Sequence, residues 1–180
     1  MHEITQDTNG SMTLNKEEFD LRQLLQEIFS EYSLTFEQRK QKANLSTDSS
    51  PMHFFGDRHK IKQMIGELIQ NAIKYIPDGG EITVSSTSDS QYQFIDIIDS
   101  GIGIPNEEQG KIFEKFYEVQ NSDYHSSSSS DFMGCGMGLG LTFAKAIAEA
   151  HEGGIRVVSQ VNEGSQFRVY LPVILKDNQK

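Results

Sequence analysis

Glu67, Asn71 and Lys74 stand four and three residues apart within Ile61–Ile76, IKQMIGELIQNAIKYI. On a helix this spacing stacks a carboxylate, an amide and an ammonium on one face, a set able to hold a metal ion and a phosphate between them. A solvated face with ordinary Glu/Lys decoration has the same composition, so the helix alone decides nothing. Asp99 follows the apolar run FIDII at 94–98. Its carboxylate therefore falls at the rim of a core, where a charge is costly unless donors meet it. An amino group on a ligand would serve, and so would an ordinary turn. Gly101 and Gly103, just beyond, permit close approach of a flat ligand or unusual backbone angles. The third group is the alternating run Gly134, Gly136, Gly138 and Gly140. It enters a helix whose start carries no Ser, Thr, Asp or Asn cap, leaving free N–H groups and the positive dipole end to meet an anion. A flexible linker is the other reading of the same glycines. No strand precedes the run in a GxGxxG arrangement and no GxxxxGK[ST] is present, so a dinucleotide fold and a Walker-type loop are set aside.

The elements that must position these residues follow from periodicity. Ile61, Met64, Ile65, Leu68, Ile69, Ala72, Ile73 and Ile76 recur at helical spacing, with Asp57 to cap the start and Pro77-Asp78-Gly79-Gly80 to stop it. An earlier helix begins at Asp20, with Gln23 at the capping-box position, Phe19 as staple and an apolar face from Leu21 through Phe36 toward Lys40. Residues 1–19 read as a polar tail. Lys42–Thr47 and His53–Phe55 are short extended pieces, and Glu81–Thr87 pairs with Tyr92–Ile98 as a hairpin. Pro105 suits the first turn of a short helix to about Phe116. From Tyr117 to Gly136 periodicity is lost, and the five serines at 126–130 mark a mobile loop. A last helix over Leu141, Ala144 and Ala148 stops at Gly153-Gly154, and Ile155–Gln160 and Gln166–Leu171 close a hairpin around Val161–Gly164. Three main helices with hairpin strands indicate an α+β two-layer sandwich.

Composition narrows the function classes. The 180 residues suffice for one domain with one core. A formal net charge of −10 argues against a nucleic-acid surface, which would show a basic stripe, but not against a phosphate held by local donors and a metal. The single Cys135 forms no internal disulfide, and no Cys/His spacing resembles a zinc site. No apolar run is long enough to span a membrane and MHEITQDTNG is no signal peptide, so a cytoplasmic setting without membrane contact is expected.

Four segments in order make a sharper pattern: ELIQNAIKY, DSGIGIP, IFEKFY and, after the loop, GMGLGL. Together with the lead-in FDLRQLL and the close EGSQFRVYLP, they resemble the ATP-binding catalytic domain of sensor histidine kinases, from about Asp20 to Pro172. That domain belongs to the superfamily that also holds gyrase and mismatch-repair ATPases. The resemblance implies a Bergerat-type fold, a mixed and mostly antiparallel sheet with three main helices on one face. It divides the chain into a tail over 1–19, from a dimerisation and phosphotransfer domain not included here, an ATP-binding domain over 20–175 with a lid near 117–135, and a short tail over 176–180. It implies that Asn71 ligates Mg²⁺, with Glu67 as a second ligand or base, that Lys74 meets phosphate, and that Tyr75 lies near the nucleotide. Asp99 would accept from the adenine amine, favouring ATP over GTP, with Gly101, Gly103 and Ile104 against the base. Phe113 and Phe116 would anchor the lid, Gly136, Met137, Gly138, Leu139 and Gly140 would cradle the phosphates, and Ser165 would support Asp99 through water.

The departures matter as much. Glu67 stands where kinases often have Asn, which raises the possibility of ATP hydrolysis as in the gyrase-like branch. No Arg lies between Arg58 and Arg156, so the lid lacks its usual phosphate-binding guanidinium; Lys115 or His125 are the available substitutes. None of His2, His53, His59, His125 and His151 sits in a phosphoacceptor motif. The expectation is a monomeric fragment that binds ATP or ADP with Mg²⁺ and transfers the γ-phosphate to a histidine on a separate domain, serving a response regulator indirectly. The alternatives are an ATP hydrolase using Glu67 and a non-catalytic nucleotide-sensing scaffold.

Overall fold

The computed structural model describes residues 12–47, 50–117 and 138–173. The central helix is α3, Arg58–Tyr75, following β1 (Glu17–Asp20), α1 (Leu21–Glu31), α2 (Ser33–Gln38), β2 (Lys42–Thr47) and β3 (His53–Gly56). After it come β4 (Glu81–Ser88), β5 (Tyr92–Asp99), α4 (Gly140–Ala150), β6 (Gly154–Gln160) and β7 (Gly164–Pro172). Five strands form one sheet in the order β2-β4-β5-β7-β6, parallel only between β2 and β4. β1 and β3 make a separate antiparallel pair.

Strand alternation decides which side is covered. Ile82 and Val84 of β4, Ile95 and Ile97 of β5, and Phe167, Val169 and Leu171 of β7 are buried. They join one core cluster with Leu21, Leu24, Leu25 and Ile28 of α1, the apolar stripe of α3, and Ala144, Ile147 and Ala148 of α4. The expected α+β sandwich with helices on one face is therefore the architecture observed. On the opposite face Asp96 is covered by Arg168, whose fork donates to it at 2.7 and 2.9 Å while its guanidinium lies over Phe94.

Both N-terminal caps form as read from the sequence. Asp20 accepts from Arg22 N–H and also from Met52 N–H, and Asp57 accepts from Lys60 N–H. Burial pushes the Asp20 carboxyl up, but the two N–H donors and the Arg22 guanidinium together hold it below its ordinary value. The C-terminal end of α3 is closed by side chains from the loop after α2. Arg39 donates to Ile76 O at 2.9 Å and to Asp78, and Gln41 donates to Ile76 O at 3.2 Å. A buried cation thus meets the negative end of the α3 dipole.

Four expectations are corrected. The polar tail does not extend through residue 19: Asn15 N–H bonds to Asp57, and Glu17–Asp20 pairs with β3. The helix expected from Asp20 toward Lys40 divides at Tyr32, whose hydroxyl meets Gln70 Nε2 at 3.0 Å and thereby ties the break to α3. The helix expected after Pro105 is a run of turns through Phe116, with Gly110 in its midst and Gln109 reaching across to β6. The left-handed residue ending α4 is Glu152, at φ 61°, rather than a glycine. Gly153 and Gly154 serve close approach instead, since a Cβ on either would collide with Tyr170.

Candidate functional site

β5 lies between β4 and β7, and Asp99 is its last residue. Its carboxylate is buried at 6% exposure, directly across from Ser165 on β7. Asp99 Oδ1 accepts the Gly101 N–H at 2.8 Å. Burial pushes this carboxyl up from its ordinary 3.8 to about 6, against the Gly101 and Ser165 N–H groups that favour the charged form. At neutral pH the group is thus an ionised, poorly solvated acceptor, matched to a ligand donor.

The loop after Asp99 is fixed on both sides. Toward α3, Ile102 N–H bonds to Tyr75 O at 3.2 Å, and a Cβ on Gly101 would lie 2.5 Å from that carbonyl and 2.6 Å from Asp99 Oδ1. Toward the β6–β7 hairpin, Asn162 N–H bonds to Ile102 O at 2.8 Å and Ile104 N–H to Ser159 Oγ at 2.8 Å. Gln109 Nε2 donates to both Ile104 O and Ser159 O. Gly103 has φ 72° and sits where a Cβ would run into the Gln160 carbonyl, so both geometry and space require glycine.

Glu67, Asn71 and Lys74 share the half-buried face of α3 with Tyr75 at its end, and Lys74 Nζ lies 5.0 Å from the Tyr75 ring centroid. Facing them is the head of α4, whose N-cap position, Leu139, supplies no side-chain hydrogen bond. A Cβ on Gly140 would fall on Glu67 Oε2, which places that carboxylate against the first turn of α4. Gly138, at φ 63°, accepts from Phe116 N–H at 3.0 Å, and Thr142 Oγ1 donates to Phe113 O at 3.0 Å. The glycine turn is thereby strapped to the 113–116 segment. Phe113 packs edge-on against Phe167. Phe116 is 74% exposed, and its backbone N–H makes the bond to Gly138.

The structure therefore brings Glu67, Asn71, Lys74, Tyr75, Asp99, Gly101, Gly103, Ile104, Gly138, Leu139, Gly140 and Ser165 onto adjoining walls. Gly136 and Met137 lie outside the described residues, as does nearly all of the expected lid. Ser165 favours the charged Asp99 through its backbone N–H, and its hydroxyl meets Ser159 Oγ at 2.9 Å. Sequence reasoning missed Ser159 and Gln109. A signal existed for Ser159, because Ile155 and Val157 set an inward phase on β6 that puts a hydroxyl, not an apolar group, at the next inward position.

Asp99 with its flanking glycines fits an amino-bearing planar base, and the uncapped α4 turn fits an anion. Glu67 and Asn71 offer the oxygen donors a hard cation takes, with phosphate oxygens completing its shell. Among the described residues no cluster of three or more His, Cys, Asp or Glu forms a metal site by itself, and no helix is long and apolar enough to cross a membrane.

Comparison with known proteins agrees with this geometry. Residues 56–175 match the family described as histidine kinase-, DNA gyrase B-, and HSP90-like ATPase. Histidine kinase P4 of Formosa agariphila is 37% identical over 165 residues, covering 92% of this chain and 12% of that protein. The adaptive-response sensory kinase SasA of Microcystis aeruginosa is 35% identical over 167 residues, 91% of this chain and 41% of SasA. The chain thus spans a minor part of the curated relatives it matches. The solved catalytic domain of histidine kinase ThkA superposes with a TM-score of 0.73 at 26% identity, covering 88% of this chain and 97% of that domain. ThkA in complex with the response regulator TrrA gives 0.71 at 25% identity, covering 88% of this chain and 42% of the kinase chain. The matched span holds both the Asp99 loop and the α3 face, and the chain belongs to the histidine kinase-, DNA gyrase B-, and HSP90-like ATPase family as an ATP-binding catalytic domain of the histidine kinase type.

Proposed function

We propose that this domain presents the γ-phosphate of Mg²⁺-bound ATP to a histidine on a separate phosphotransfer domain, the first step of a relay to a response regulator. One observation carries the reading: the desolvated Asp99 acceptor, the Glu67/Asn71/Lys74 face and the bare head of α4 adjoin, held together at Gly101 and Gly140 where a Cβ would collide. Asp99 accepts from the adenine amine, and the glycine loop keeps the base against the backbone. Lys74 and the α4 N–H groups neutralise phosphate charge, and Asn71 with Glu67 holds the cation. Mg²⁺ supplies charge neutralisation across the phosphates. Transfer then rests on positioning and electrostatics, with the acceptor imidazole as nucleophile. An ATP-binding domain that takes in β1 and reaches to about residue 175, the monomeric state and the cytoplasmic setting are part of this proposal.

The test is calorimetric titration of Mg-ATP, Mg-ADP and Mg-GTP into the wild type and into Asp99→Ala, followed by phosphotransfer to a supplied acceptor domain. Adenine-selective binding that the substitution abolishes, with label reaching the acceptor, supports the proposal. Binding without transfer leaves the nucleotide-sensing scaffold. The placement of Glu67 against Gly140 favours hydrolysis as a second reading, because a carboxylate there can polarise a water. Steady phosphate release that vanishes in Glu67→Gln while ATP binding persists would support hydrolysis.

A further inference from the structure

Asp57 commits its carboxylate and its backbone N–H to three separate elements. Oδ1 accepts Lys60 N–H at 3.0 Å in the first turn of α3, and Oδ2 accepts Asn15 N–H at 2.9 Å from the segment before β1. Asp57 N–H donates to His151 Nε2 at 3.0 Å at the end of α4. A backbone N–H can only donate, so Nε2 carries no proton and Nδ1 donates to Ile147 O at 2.8 Å. Asp57 and His151 are both buried, and a Cβ on Gly56 would lie 2.9 Å from the His151 ring, so the imidazole is packed in place. α4 is therefore pinned to α3 at both ends. Its tail meets Asp57, and at its head a Cβ on Gly140 would fall on Glu67 Oε2. Asp57 to Glu67 spans about 15 Å of helix and Gly140 to His151 about 17 Å, so the two pins fit one antiparallel pair.

We propose that the Asp57–His151 pair couples the anion-binding head of α4 to segment 12–16, so that nucleotide in the site tightens the hold on Asn15. This rests on the nucleotide-binding reading above and adds a regulatory contact to it. A helix is stiff along its axis, so a phosphate drawn onto the N–H groups at the head of α4 also fixes the position of its tail. The bond from Asp57 N–H to His151 keeps good geometry over only about half an ångström. Settling α4 therefore settles Asp57, whose carboxylate both caps α3 and grips the segment before β1. Such coupling is reciprocal: the factor that nucleotide adds to the hold on Asn15 is the factor that the held segment adds to nucleotide affinity.

The experiment measures amide hydrogen exchange over 15–20 with and without saturating Mg-ATP, and Kd for Mg-ATP, in the wild type, His151→Phe, Asn15→Pro and Asn15→Ala. Circular dichroism shows that each is folded. In the wild type Mg-ATP should slow exchange over 15–20 on the order of fivefold, beyond any change at the turn between β4 and β5. His151→Phe keeps a ring and deletes the acceptor, and should abolish that slowing while still binding Mg-ATP. Asn15→Pro deletes the backbone donor and should weaken Mg-ATP binding by a similar factor, which serves if His151→Phe does not fold. Asn15→Ala keeps the N–H and should match the wild type. No slowing in the wild type, slowing that survives in His151→Phe, or equal Mg-ATP affinity in Asn15→Pro and Asn15→Ala overturns the proposal. A wild type that binds no Mg-ATP sinks the nucleotide-site reading and this inference with it. Binding without slowing sinks this inference alone.

Discussion

Asp99→Asn separates the binding role of Asp99 from its cost to the fold. The Asn carbonyl can still accept from Gly101 and Ser165 N–H, so the change removes charge and leaves the donors partnered. A carboxyl at 3.8 in the unfolded chain and about 6 when folded binds its proton more tightly in the native state. Its penalty is therefore fully present above about pH 6 and fades as pH falls toward 3.8. The two values give a native-state cost of about 3 kcal/mol near pH 7.5, roughly half of that at pH 5 and less than about 1 kcal/mol at pH 4. Urea unfolding of both proteins across this range isolates the effect, because every other titrating group is common to the pair. The constant difference between a buried amide and a buried acid cancels as well. Asp99→Asn should gain stability over the wild type at neutral pH, with that advantage shrinking by roughly half of the cost at pH 7.5, on the order of 1 kcal/mol, between pH 7.5 and pH 5. Mg-ATP binding should weaken sharply in the same protein, since an amide N–H₂ then faces the ligand amine. A stability difference that does not change with pH would refute the argument that Asp99 is desolvated and charged.

Three further outcomes follow from the packing. Arg39→Ala should cost about 2–3 kcal/mol in urea unfolding, because the buried guanidinium bonds Ile76 O and Asp78 at the end of α3, and Arg39→Lys should not restore it. Gly103→Ala should lose at least about 1–2 kcal/mol from the left-handed backbone alone, and nucleotide binding should fall with the displaced loop. His151 accepts Asp57 N–H on Nε2 at 3.0 Å and contacts Ile147 O through Nδ1 at 2.8 Å, an arrangement for the neutral ring. Burial holds its pKa below 6.5, opposed by Ile147 O and Asp57 and aided by Lys16 and Lys60. Its contribution to stability is thus complete above 6.5 and is lost as pH falls through and below that value. An NMR titration should find the His151 ring still neutral where a free imidazole has protonated; a transition at or above 6.5 would contradict the burial argument.

Much of the molecule was legible because it is written in local chemistry. Asp20 and Asp57 announced helix starts, the Ile61–Ile76 stripe announced a buried helix, and the runs at 81–87 and 92–98 announced a hairpin of strands. Local signals failed where a distant partner decides the backbone. Tyr32 breaks the first helix although the apolar period runs straight through it, because its hydroxyl is held on α3. Glu152 takes the left-handed turn, while the adjacent Gly153 and Gly154 sit where a Cβ would collide with Tyr170. Gln109 draws its segment across to β6, and no helix forms.

For the site, the sequence by itself determined the residue types and their order: a carboxylate at a strand end, glycines beside it, polar groups at helical spacing and an uncapped helix start. Each carries its chemistry in its own side chain or its nearest neighbours, so no tertiary contact was needed to see it. Only the tertiary structure decided that Glu67 meets Gly140, that Gly101 is wedged between Tyr75 and Asp99, and that Ser159 ties the Ile104 loop to Ser165. These contacts join residues far apart in the chain. Their existence depends on sheet register and helix packing, which arise from the whole core and not from any local stretch.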